Sequence, residues 1–148
     1  MIFYLIAAAV LLADQTTKLL IIRTMSPHES IPVILNVFHI TYIRNFGAAF
    51  GILAHRTGFF VLITVAVVLF ILFFLHQLPK EHKLLRIALA LQLGGALGNL
   101  LDRLRFGYVV DFLDFRFWPV FNIADIAIVV GIGLLIIDLA RTAREKGI

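Results

Sequence analysis

FFVLITVAVVLFILFFLHQL, residues 59–78, holds no Asp, Glu, Lys or Arg and stops against Pro79. A helix needs about 20 mostly apolar residues to cross a bilayer's hydrocarbon core. One that is apolar on every side has no face to offer water. The stretch reads as a transmembrane helix, and three further segments resemble it: about 2–22, interrupted by Asp14 and Lys18, about 84–101, and about 119–139. Across its 148 residues the chain is 61% hydrophobic and 15% charged, with a mean hydropathy of +1.02. A soluble domain of this length could not hide so much apolar surface. An integral membrane protein is expected, a single domain over residues 1–148 with four spans.

The net charge of +4 and the pI near 9.9 are read as basic flanks on spanning helices, with no nucleic-acid partner expected. There are no cysteines, which removes disulfides and thiol chemistry. The first apolar run lacks a basic leader and no small-x-small cleavage site precedes a soluble domain, so it reads as a retained helix. Lys80, Lys83 and Arg86 crowd the 79–86 connection, and Arg141, Arg144 and Lys146 crowd the tail. Arg23, Arg44, Arg56, Arg103, Arg105 and Arg116 are spread over much longer pieces. By density, both termini are expected in the cytoplasm.

The 24–57 connection contains VILNVFHITYIRN, in which Val37, His39 and Thr41 alternate with Phe38, Ile40 and Tyr42. That period of two predicts two or more short strands at the membrane surface. Asn45-Phe46-Gly47 reads as a turn into AAFGIL, residues 48–53, expected to form a short interfacial helix.

An even number of spans places the 24–57 and 103–119 connections on one side. Asp14 and Lys18 in the first span, Asn99, Asp102 and Arg103 in the third, and Asn122 and Asp125 at the fourth then converge near that surface. Asp111 and Asp114 are expected in the loop just before the fourth span. Intramembrane charges cost several kcal/mol and normally face protein or water. Asp14 and Lys18 are four apart, Asn122 and Asp125 three apart, and Gln92, Gly95, Asn99 and Asp102 form one stripe, so each set shares a helix face. Gly94 and Gly98 form a small-xxx-small pair that admits a close neighbour.

Each group also has a purely structural reading. Asp14 and Lys18 could neutralise one another, Asn99 could be interhelical glue, and Asp102-Arg103 could be an interface pair. The histidines at 28, 39, 55, 76 and 82 show no ligand spacing, so no metal and no cofactor are expected. Two aspartates sharing a low-dielectric site share a proton, which suits aspartic-protease chemistry; proton relays use membrane aspartates as well. A membrane scaffold is the third reading.

The chain resembles the lipoprotein signal peptidases (signal peptidase II), four-helix intramembrane aspartic proteases of bacteria. Five ordered blocks carry the resemblance: DQTTK from Asp14, RNFGAAF from Arg44, GGALGNLLDR from Gly94, VVDF from Val109 and FNIAD from Phe121. It implies a bundle of four transmembrane helices with a small extracytoplasmic β-sheet cradle and a short interfacial helix. By position it implies Asp111 and Asp125 as the catalytic dyad. Asn45, Gly47, Asn99, Asp102, Arg103 and Asn122 become its shell, Asp14 and Lys18 become supporting groups, and Asp114 is left as a loop residue. The implied substrate is a diacylglyceryl-modified prolipoprotein, cut just before the lipidated lipobox cysteine. The implied setting is the bacterial cytoplasmic (inner) membrane, with the site near the extracytoplasmic face, membrane lipid around it, and a monomer expected. The connection FLDFRFWPV, residues 112–120, is shorter than expected of the family.

Overall fold

The computed structural model describes residues 2–47, 56–79 and 81–145. The elements run α1 (Ile2–Thr24), β1 (Ser30–Ile34), β2 (Phe38–Asn45), α2 (Thr57–Gln77), α3 (Lys83–Phe106), β3 (Val109–Asp114) and α4 (Ile123–Glu145). All four helices are long and apolar enough to cross a membrane. The helix expected at 48–53 lies outside the described residues.

α3 is the central helix. In its apolar window 61% of residues are buried, against 22% for α1, 11% for α2 and 17% for α4, so the other three turn most of their surface to lipid. Small residues set how closely they approach. A Cβ on Gly94 would come within 2.6 Å of the Ala7 carbonyl, and one on Gly98 would run into the Asp14 carboxylate. Gly95 presses in the same way on the Ala124 carbonyl, while Gly131 of α4 presses back on Ala88. The small-residue seam at 94 and 98 thus receives α1, and the adjacent position receives α4. Without a hydrophobic drive between helices in lipid, this close approach is a main source of association. Towards the end away from the sheet, Phe3, Ile71, Leu75, Leu85, Leu89 and Leu93 pack together.

Two helix boundaries differ from expectation. α3 continues past Leu101 to Phe106 because its polar residues are accommodated: Asp102 is paired internally, and the Arg103 guanidinium sits 5.1 Å from the centre of the Phe60 ring. The helix ends at Gly107, whose φ of +78° lets its N–H turn back to the Arg103 carbonyl at 3.1 Å. α4 starts at Ile123 rather than Pro119, because Phe121 is held in extended pairing with Leu113. Asn122 then caps the helix: its Oδ1 accepts the Asp125 N–H at 2.9 Å, while Asp125 Oδ2 accepts the Asn122 N–H at 3.3 Å. This is a reciprocal capping arrangement.

The strands form one antiparallel sheet in the order β1-β2-β3. The β1–β2 hairpin lies where alternation predicted strands. Residues 109–114, expected to be loop, are instead β3, with Asn45 opposite Val109, Arg44 opposite Val110 and Ile43 opposite Asp111. The register shifts between Ile40 and Ile43. Two aspartates in six residues argue against a strand locally; β2 supplies the template that outweighs them.

Candidate active site

Asp14 and Lys18 on α1, Asn99 and Asp102 on α3, and Asp125 on α4 all lie within about 15 Å of the helix ends nearest the sheet, by the rise per residue. The sheet then delivers Asp111 and Asn45 onto them. Asp14, Lys18, Asn99, Asp102, Asp111 and Asn122 are each at most 7% exposed. A cluster this polar survives burial only if its hydrogen bonds are made.

They are made around Lys18. Its ammonium carries three donors, and they meet Asp14 Oδ2 at 2.9 Å, Asp102 Oδ2 at 2.9 Å and Asn99 Oδ1 at 2.9 Å. Asp102 Oδ2 also accepts the Val110 N–H at 3.0 Å, tying α3 to the strand residue before Asp111. Asp14 Oδ1 accepts the Ala124 N–H at 2.9 Å, so a carboxylate from α1 faces the positive end of α4. Asp102 therefore pairs with Lys18 rather than with Arg103. Arg103, counted in the shell from the sequence, stacks on Phe60.

Asn99 links this ion cluster to Asp125. Its Oδ1 accepts a hydrogen bond from Lys18, and its Nδ2 donates to Asp125 Oδ1 at 2.8 Å. Asn122 touches both remaining aspartates. Its Nδ2 donates to Asp111 Oδ1 at 2.7 Å, and its backbone and Oδ1 hold Asp125 as described. Asn45 Nδ2 donates to the other Asp111 oxygen at 2.8 Å. The Asn45 amide cannot turn over freely, because Gly47 N–H occupies its Oδ1 at 3.0 Å.

Two carboxylates thus pair with one ammonium and two more lie beyond Asn99 and Asn122, so in this buried site not all four can be ionised near neutrality. Burial, followed by the Asp125 charge, pushes the Asp111 carboxyl up to about 7, against the pull of Asn45, Asn122 and Lys18. Asp114 is buried too but takes no part. Burial alone would raise its carboxyl, yet bonds from Thr41 and Arg116 hold it below its ordinary value. Thr41 Oγ1 donates to Asp114 Oδ2 at 2.7 Å, and Arg116 pairs with that oxygen at 3.0 Å. Asp114 pins the connection to the sheet, a firmer role than that of a loop bystander. Among the described residues no His, Cys, Asp or Glu side chains form a group that could hold a metal ion.

Gln15 had no assigned role, although it lies in the DQTTK block. Its Nε2 reaches Asp102 Oδ1 at 3.0 Å and Asp14 Oδ2 at 3.2 Å, bridging the two carboxylates that hold Lys18. Its one signal in the sequence was adjacency to Asp14 within an apolar run.

The sequence model of the family described as signal peptidase (SPase) II matches residues 6–141. A lipoprotein signal peptidase of Moorella thermoacetica is 56% identical over 145 residues, covering 98% of this chain and 97% of that one. Another from Halothermothrix orenii is 51% identical over 136 residues, covering 92% and 93%. A bacterial membrane enzyme solved by the in meso method superposes with a TM-score of 0.93 at 38% identity, over 97% of this chain and 90% of the other. With two acidic groups meeting at Asn122 and likeness along nearly its full length, the chain belongs to the signal peptidase II family of aspartic peptidases.

Proposed function

We propose that the protein removes the signal peptide from diacylglyceryl-modified prolipoproteins, hydrolysing the peptide bond just before the lipidated lipobox cysteine. A water held between Asp111 and Asp125 is the nucleophile. The observation that carries this reading is that Asn122 bonds both aspartates, Asp111 through its Nδ2 and Asp125 through its backbone N–H, while burial pushes the Asp111 carboxyl up to about 7. One proton is then shared by the two groups near neutrality. Asp125, which Asn99 links to the Lys18 ammonium, is the carboxylate that takes a proton from the water. Asp111 is the acid that donates a hydrogen bond to the scissile carbonyl.

Water oxygen bonds to the carbonyl carbon and gives a tetrahedral diol. The proton gained by Asp125 passes to the departing nitrogen as the C–N bond breaks, and Asp111 recovers its own proton as the new carboxyl forms. Asn45, Asn99 and Asn122 hold the two carboxyls in place. The Lys18 cluster holds Asn99, and the Arg103 guanidinium lies within electrostatic reach of both aspartates. One chain supplies both aspartates, so a monomer is competent.

On this reading the protein sits in the bacterial cytoplasmic membrane, with both termini cytoplasmic and the sheet on the extracytoplasmic side. Basic side chains at the ends of the helices remote from the sheet, Arg86 and Arg141 among them, support that orientation. Because the chain has no cysteine, single cysteines at Ser26 and Thr142 report sidedness directly. An impermeant thiol reagent added outside intact cells is expected to label only the first.

The decisive assay uses purified protein and a synthetic lipidated precursor. Asp111→Asn and Asp125→Asn are each expected to insert and fold but to lose cleavage. Near-normal processing by either variant rules out the shared-water mechanism. Asp125-dependent proton flux in liposomes, without cleavage of any peptide, would identify a carrier instead.

A further inference from the structure

A cleft of about 460 Å³ opens between the start of α4 and the connection that precedes it. Phe115, Phe117, Trp118 and Phe121 form one wall, Ile126, Val129 and Val130 the other, and Asp125 is the one charged side chain among them. Phe121 and Phe115 stack with their rings 7° from parallel and 5.9 Å apart. Phe115 in turn packs on Phe38 of β2 at 4.8 Å. Behind the rings, Asp114 is held by Thr41 and Arg116. The aromatic wall is therefore braced by the sheet. On the open side, Phe117 is 84% and Val129 67% exposed, so the cleft is continuous with the lipid-facing flank of α4.

We infer that this cleft receives one acyl chain of the diacylglyceryl group on the substrate cysteine, and that its walls set which lipid chains the enzyme accepts. The inference rests on the reading of Asp125 as catalytic. If the scissile bond lies at Asp125, the nearest group on its C-terminal side is the cysteine that carries the lipid. The apolar cleft leading away from Asp125 is where a chain attached there arrives. The cleft has no cationic side chain for a phospholipid headgroup, which argues for a chain tethered to the peptide.

An acyl chain moving from bilayer into this cleft exchanges one hydrocarbon environment for another. The hydrophobic effect then contributes little, and selection falls to shape and dispersion contacts. Filling the cleft is accordingly the informative perturbation, because lengthening a lipid chain yields little extra affinity.

The test compares one precursor peptide carrying either two palmitoyl or two acetyl groups on the glyceryl unit. In Val129→Trp and Val130→Trp the ratio of kcat/KM for the long-chain over the short-chain substrate is expected to fall about ten-fold, an ordinary consequence of overfilling an apolar site. In Leu69→Trp, on the lipid face of α2, it is expected to stay unchanged. A ratio is insensitive to partial loss of folded enzyme. Equal losses on both substrates, or no loss, would overturn the inference. Failure of the parent enzyme to cleave either substrate would instead overturn the catalytic reading.

A second measurement needs no turnover. A precursor with a diazirine midway along one acyl chain is photolysed with Asp125→Asn protein in vesicles. Label is expected in residues 115–130 in excess of that from a phospholipid bearing the same diazirine. Label confined to α1 or α2, or no excess over the phospholipid, would refute the assignment. So would labelling of 115–130 by a diazirine placed in the signal helix.

Discussion

Replacing Asp111 by Asn exposes the cost of the site's charge. In the folded protein this carboxyl is lifted from 3.8 to about 7 and is 2% exposed. That rise corresponds to at most about 4 kcal/mol between the protonated and ionised forms. A carboxyl whose folded value lies above its unfolded value stabilises the fold while protonated. The stability is complete below pH ~4 and is lost as pH climbs through about 7. The amide introduced by Asp111→Asn carries no such charge, but it offers one acceptor oxygen where the carboxyl offers two. Either Asn45 or Asn122 then faces a donor, at a cost of about 1 kcal/mol. The variant should be slightly less stable than the parent at pH 4 and more stable by up to about 3 kcal/mol at pH 8. For a chain of this size that is about 6–12 °C in Tm, with the crossover near pH ~5. Thermal unfolding in one detergent, parent against Asp111→Asn across pH 4–8, cancels the contribution of titrating groups that do not interact with Asp111, leaving that of Asp111 and its coupled neighbour Asp125. Parallel curves, or a parent that gains on the variant as pH rises, would refute the argument that the site strains to hold this charge. Peptidase activity of the parent should fall as pH rises through about 7, where the acid loses its proton.

Lys18→Met leaves Asp14 and Asp102 buried without their cation, and breaking such a cluster costs about 3–5 kcal/mol. Most of that chain should fail to fold in a detergent stability assay, and a normal Tm would contradict the ion-cluster account. Gly98→Ala drives a methyl into the Asp14 carboxylate, whereas nothing lies within 4 Å of a Cβ on Gly133. The first should lower Tm and activity and Gly133→Ala neither, and equal effects would mean that the α1–α3 approach is looser than described.

The spans were readable because bilayer thickness imposes length and composition on each helix separately, as the charge-free 59–78 run shows. Convergence of Asp14, Lys18, Asn99, Asp102, Asn122 and Asp125 followed from counting spans and needed no tertiary detail. What escaped was pairing between distant segments. β3 exists because Ile43–Asn45 lie opposite Asp111, Val110 and Val109, and no local propensity encodes a partner more than sixty residues away. The start of α4 shifted for the same reason, since Phe121 belongs to Leu113 before it could belong to a helix. Gln15 was also hard to read. Its hydrogen bonds to Asp14 and Asp102 appear only when α1 meets α3.

The bond from Asp14 to the Ala124 N–H joins the first helix to the last, 110 residues later. During biosynthesis α1 is delivered to the membrane carrying an acid and a base whose other partners have yet to be translated. On the proposed mechanism the hydrolytic centre cannot be assembled piecemeal, because a nascent chain stalled before its final segment lacks Asp125. A protease embedded among other newly inserted proteins would then stay inert until its own synthesis is nearly finished.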